Sequence, residues 1–186
     1  MYRFFSLRKN CPSRWAAPLR RERLYAASCL AFCLLGAWTV RHAAAVHAWL
    51  AADGGWPYFS ERMLVVHGGA SVLQGGLSFG SDVLLVGKPS LLHLADRVLA
   101  VVLTLLGVYI EGLVLLCGRL SLPLQALMAG LLCASLAHHF RAKAAIRDQV
   151  YHTYVWSHTL WHLGVCASFP IPMTLAIGPR VILGLE

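Results

Sequence analysis

The sequence predicts an all-α membrane protein, a multi-pass transmembrane helical bundle of five to seven helices. Three observations predict it. The 186 residues are 58% hydrophobic and only 13% charged, whereas a soluble domain carries about a quarter charged residues. Five apolar runs come close to or exceed the length of about twenty residues that a helix needs to cross a hydrocarbon core. Seven of the sixteen Lys and Arg (Arg3, Arg8, Lys9, Arg14, Arg20, Arg21 and Arg23) fall in the first 23 residues against a single Glu22. That is the bias of a cytosolic flank before a membrane span.

The division that follows is a basic N-terminal tail over 1–23 and a transmembrane helical domain over 24–186. An endomembrane or plasma-membrane location is the expectation, with organelle targeting as the alternative, because the acid-poor opening MYRFFSLRKNCPSRW also fits a transit segment. The first apolar run, Leu24 to Leu50, is rich in Ala, Leu and Cys and ends at the turn-forming Asp53-Gly54-Gly55 with Pro57. The second, Met63 to Val86, is diluted by Gly68, Gly69, Gly75, Gly76 and Gly80 and closed by Lys88-Pro89. Small residues permit close helix contact in lipid, which predicts an interior position for this helix. The third, Leu91 to Gly118, is about 42 Å long as one helix at about 1.5 Å per residue, long for one crossing and short for two. The fourth, Leu120 to Phe140, leads into an expected basic loop with Arg141, Lys143 and Arg147. The fifth starts near Val150 and runs to Ser168, where Phe169-Pro170-Ile171-Pro172 breaks it. A short apolar piece follows over Met173 to Leu185. With five crossings, Lys88 and the basic stretch 141–148 join the N-terminus on the cytosolic side.

Composition also excludes classes. The six cysteines lie mostly in apolar runs without CxxC spacing, so they read as small apolar side chains and not as a disulfide framework. No basic helix interleaved with aromatics and no zinc-finger spacing is present, so the partner implied is the lipid bilayer and not nucleic acid.

Ionisable groups inside hydrocarbon cost about 2.5 to 3.5 kcal/mol each on insertion scales, so each needs a partner or a purpose. His67, His93, Asp96, Arg97, Glu111, His138, His139, His158 and His162 all raise this question. His138 and His139 sit at the end of the fourth run beside Arg141, which suits an interfacial position. Glu111 either serves a function within the membrane or lies at an interface near a helix break at Gly107. His158 and His162, in the stretch WSHTLWHL, are four residues apart and project from one helix face. Two imidazoles so placed suit one zinc ion, with Zn–N of about 2.0 to 2.1 Å, but a site needs a third His or carboxylate.

The segment DQVYHTYVWSHTLWHLGV, with Tyr154, Trp156, Ser157, His158, Trp161 and His162, resembles the last core helix of the CREST superfamily of membrane hydrolases, in particular its myomaker-like branch. That superfamily includes the alkaline ceramidases and the progestin and adipoQ receptors. LLHLADRVLAVVLTL, Leu91 to Leu105, resembles the superfamily's third helix, with Asp96 matching its aspartate. In ASVLQGGLSFGSD, Ser71 matches the serine of the second helix, but Gly75 stands where a zinc-binding histidine is expected four residues later.

The resemblance implies zinc as cofactor and hydrolysis of an amide or ester bond in a lipid substrate. His158 and His162 are then metal ligands, Asp96 a base or partner of the ligands, and Ser71 a hydrogen-bond donor to the reacting oxygen. His67, His93 or Asp96 are the candidates for the third ligand that Gly75 cannot supply. The alternative is a catalytically inactive relative, a structural or interaction membrane protein without a complete zinc site. A bis-histidine haem ranks below both, because haem ligands face one another across helices and do not stand four apart on one.

Overall fold

The computed structural model describes residues 7, 11–52 and 59–178. Arg3, Arg8 and Lys9, the turn at Asp53-Gly54-Gly55 and Pro57, and the final apolar piece from residue 179 onward lie outside these. Among the described residues the chain is helical apart from short connections, with no strand. A 3₁₀ turn, Ser13–Trp15, leads into a short α1 (Ala16–Arg21) and then α2 (Arg23–Ala51). After α3 (Glu61–Phe79) the helix widens into a π-helical turn, Gly80–Leu84, followed by α4 (Leu91–Leu116), α5 (Leu122–Arg147), α6 (Tyr151–Ala167) and α7 (Pro170–Ile177).

Local chemistry sets most boundaries. Ser60 and Ser90 cap α3 and α4 by accepting from the backbone N–H groups of Met63 at 3.3 Å and Leu92 at 3.1 Å. Gly118, at φ +70°, ends α4 in the left-handed region. Pro123 and Pro170 stand in the first turns of α5 and α7, where their missing N–H costs nothing. The third run is one unbroken helix through Gly107. The basic stretch Arg141–Arg147, expected as a loop, is instead the last two turns of α5. Its Ala, Lys and Arg are strong helix formers, and Ala142 and Ala145 are buried against the bundle.

Four segments are long and apolar enough to cross a membrane: Arg23–Ala51, Leu91–Leu116, Leu122–Arg147 and Tyr151–Ile177, the last comprising α6 and α7. α3 is not among them, although it was expected as a crossing, because His67, Ser71, Gln74 and Ser78 add polar groups to its many glycines. The outer surfaces of the long helices carry exposed Leu34, Leu105, Leu116 and Leu122. Such surfaces suit an integral protein in contact with a lipid bilayer.

α2 and α3 approach most closely. A Cβ built at Gly36 would stand 2.3 Å from the Gly68 carbonyl oxygen, and one at Gly75 would stand 2.3 Å from Cys33 Sγ and 2.9 Å from its backbone nitrogen. The seam is therefore made of glycine and cysteine, as close packing between membrane helices requires. All six cysteines are free thiols.

Two apolar clusters close the bundle at opposite ends. One joins Val46, Leu50, Leu64, Ile110, Val114, Met128 and Met173. The other joins Trp15, Leu19, Tyr25, Val83, Val86, Ala142 and Tyr154. Part of the expected N-terminal tail thus belongs to the core: Trp15 is 4% exposed and stacks on Tyr154 with ring centroids 5.4 Å apart. Arg14 donates to Gln149 Oε1 at 2.6 Å and Arg20 to the Val86 carbonyl at 2.9 Å, which fixes this segment to the α5–α6 and α3–α4 connections.

Candidate metal centre

Between the two apolar clusters lies a cavity of about 480 Å³. α4 leans on α3 and the π turn on one side, and residues of α5 and α6 form the facing wall. On α3 the cavity face repeats at helical spacing through His67, Ser71, Gln74 and Ser78 and continues into Ser81 and Asp82 of the π turn. Gly75 belongs to the other face, against Cys33. A side chain at position 75 would meet α2 and would not enter the cavity.

The π turn closes with a hydrogen bond from Leu85 N–H to the Gly80 carbonyl at 2.9 Å, five residues apart. Such wide turns are frequent at functional sites. Here it carries two consecutive buried polar residues to the cavity, Ser81 at 2% and Asp82 at 4% exposure. Asp82 Oδ2 lies 2.8 Å from His158 Nε2 and accepts from the Tyr25 hydroxyl at 3.1 Å. His158 and His162 have ring centroids 4.3 Å apart on successive turns of α6. His162 Nδ1 is 3.3 Å from Ser28 Oγ. One ligand atom from each of Asp82, His158 and His162 can be chosen so that all lie within 4.8 Å of one another. Tyr25 stacks on His158 at 5.1 Å, and Phe32 meets His162 edge-on at 5.2 Å. Two imidazoles and a carboxylate form one of the usual donor sets for zinc in hydrolases, so these residues fit the ion.

The candidates for a third ligand are placed differently. His93 is 1% exposed, with Nδ1 2.7 Å from Ser81 Oγ and Nε2 2.9 Å from the Lys88 carbonyl and 3.2 Å from that of Leu85. Both of its nitrogens thus hold the connection between α3 and α4. Asp96 Oδ1 accepts from Gln74 Nε2 at 2.7 Å on the cavity wall. His67 borders the cavity near Gly107. Among the described residues, none of the three joins the group that Asp82 forms with His158 and His162. Ser71 also borders the cavity, and its hydroxyl donates to the His67 carbonyl at 2.8 Å.

Sequence reasoning missed Asp82, although a signal was present. Asp82 lies inside the second apolar run, where the rule that singles out Asp96 and Glu111 applies equally. It also follows Ser78 by four residues, the spacing expected of Ser71 and position 75, two helical turns further along. Of the remaining histidines, His139 borders the cavity and packs on Trp161 with centroids 4.7 Å apart. Glu111 is buried at 4% exposure on an unbroken helix, with the Ser168 hydroxyl donating to it at 2.7 Å. No family model, curated protein or solved structure matches the chain, so its chemistry is read from this geometry.

Proposed function

We propose that this chain is a metal-dependent membrane hydrolase acting on an amide or ester bond of a lipid, with His158, His162 and Asp82 holding zinc. The observation that carries the reading is the convergence of two imidazoles and a carboxylate, from α6 and the π turn, on a space within 4.8 Å. Zinc in such a set supplies a Lewis acid that polarises a carbonyl and makes a water acidic.

The chain's own residues support the remaining tasks. Tyr25 donates to Asp82 and so holds the carboxylate oriented, and Ser28 Oγ, whose own proton goes to the Tyr25 carbonyl, accepts from His162 Nδ1 and orients that ring. Asp96 and Ser71, on the same wall, take the roles of base and hydrogen-bond donor in this reading. Ser71 must then turn its hydroxyl from the His67 carbonyl toward the cavity. Val101, Leu105 and Val108 of α4 and Phe140 of α5 border the cavity and are exposed, an apolar rim that suits a substrate arriving from the bilayer.

A second reading is favoured by one observation. Asp82 is hydrogen-bonded by both His158 and Tyr25, and His162 by Ser28. The same residues therefore also satisfy one another as a buried polar core, as in an inactive structural relative. Elemental analysis of the purified protein decides between them. About one zinc per chain supports the hydrolase; a chain that takes up no zinc when supplied with it supports the polar core.

A further inference from the structure

The cavity has a second polar end. Glu111 lies fifteen residues beyond Asp96 on α4, about 22 Å along the axis at about 1.5 Å per residue. Its side chain is 4% exposed and borders the cavity. Oε1 accepts from the Ser168 hydroxyl at 2.7 Å, whereas Oε2 is buried and has no hydrogen-bond partner among the described residues. His67 of α3 and Phe169 border the same end. His67 Nε2 stands 3.8 Å from a Cβ built at Gly107, one turn before Glu111. The cations that border the cavity, Arg97 and Lys143, stand fourteen residues away on α4 and near the end of α5.

A carboxylate in an apolar wall is costly unless it is paired or hydrogen-bonded. Ser168 satisfies one oxygen and brings no charge. For the ionised carboxylate, a group that completes the site donates a hydrogen bond, carries a positive charge and enters through the cavity. A protonated amine meets all three conditions, an alcohol lacks the charge, and a carboxylate or phosphate would face a like charge. We infer that the Glu111 end of the cavity is a binding subsite for a protonated primary amine, which donates to Glu111 Oε2 while Ser168 holds the carboxylate in place. The amine is either the head of a lipid whose chain lies along the cavity or a small alkylamine. The subsite requires neither zinc nor hydrolysis.

The test uses the full chain in phosphatidylcholine nanodiscs, titrated calorimetrically at neutral pH with ethylamine, octylamine, octanol and octanoate, with empty discs as the blank. Octylamine is expected to bind about tenfold or more tightly than octanol or octanoate. Affinity that rises from ethylamine to octylamine assigns an amine-bearing lipid; equal affinity assigns a small amine. Glu111→Gln, checked for unchanged elution and thermal midpoint, is expected to lose about tenfold or more in octylamine affinity. Octylamine and octanol binding equally to the wild type, or octylamine binding undiminished in Glu111→Gln, would overturn the assignment. If Glu111→Gln does not fold, the wild-type comparison decides alone. Absence of zinc would defeat the hydrolase reading and leave these titrations unaffected.

Discussion

His158 Nε2 stands 2.8 Å from Asp82 Oδ2, although 76 residues separate them in the chain. This contact joins α6 to the π turn at the end of α3. It also brings the single carboxylate of that turn to a pair of imidazoles on one helix face. The geometry adds a carboxylate to an ambiguous HxxxH spacing and makes a three-residue group that could hold a metal ion.

The donor set implies a division among carboxylates and histidines. Asp82→Asn, His158→Ala and His162→Ala are each expected to lower the zinc content of the purified protein about tenfold or more, in line with the loss of one of three protein ligands. Asp96→Asn and His67→Ala are expected to retain it. Elemental analysis after dialysis against a weak chelator measures both groups. Zinc kept by Asp82→Asn and lost by Asp96→Asn would transfer the third ligand to α4.

Legibility in the sequence followed the physics of each feature. Long apolar runs showed α2, α4, α5 and α6, because about twenty largely apolar residues in a row have few other uses. α3 was harder. The run reads as a crossing, but the polar face that lines the cavity lowers its hydropathy, and α3 is not among the segments apolar enough to span. The His158–His162 pair was legible because four residues make one helical turn. Asp82 carried the mark of a polar residue inside an apolar run, but the π geometry and the contact across 76 residues that bring it to the histidines leave none. Gly75 read as a gap in the site, whereas it is a requirement of the α2–α3 seam.

That seam gives a stability prediction with an internal control. Gly75→Ala puts a Cβ 2.3 Å from Cys33 Sγ and 2.9 Å from a backbone nitrogen, so the helices must separate, at a cost of about 1–3 kcal/mol. At neighbouring Gly76 a Cβ meets nothing within 4 Å, and Gly76→Ala is expected to be neutral or to stabilise by up to about 1 kcal/mol through helix propensity. Thermal unfolding in detergent compares the two. Equal midpoints would show that α2 and α3 do not pack through this face.

Trp15 tests whether the basic N-terminal segment belongs to the fold. Its ring is buried between Tyr151, at 5.6 Å and edge-on, and Tyr154, stacked at 5.4 Å. Removing a buried aromatic of this size costs about 3–5 kcal/mol. Trp15→Ala is therefore expected to lower the thermal midpoint markedly, while Arg21→Ala, on an exposed side chain of the same segment, leaves it nearly unchanged. An unshifted midpoint in Trp15→Ala would place residues 13–21 outside the cooperative unit.

The same anchoring fixes a sidedness that can be measured. Arg14 reaches Gln149 and Arg20 reaches the Val86 carbonyl, so the N-terminal segment, the α3–α4 connection and the α5–α6 connection share one end of the bundle. Arg119, which lies 4.9 Å over the ring of Trp49, marks the other end, with the end of α2 and the start of α5. By the positive-inside rule, the excess of basic residues at the first end predicts that it faces the cytosol. In a chain whose native cysteines are replaced by alanine, Lys88→Cys and Asp148→Cys are expected to react alike with an impermeant maleimide in sealed vesicles. Ser121→Cys is expected to react from the opposite face. Labelling of all three from one side would mean that α4 does not cross the membrane, and the cavity it walls would then lie at a surface and not within the bilayer.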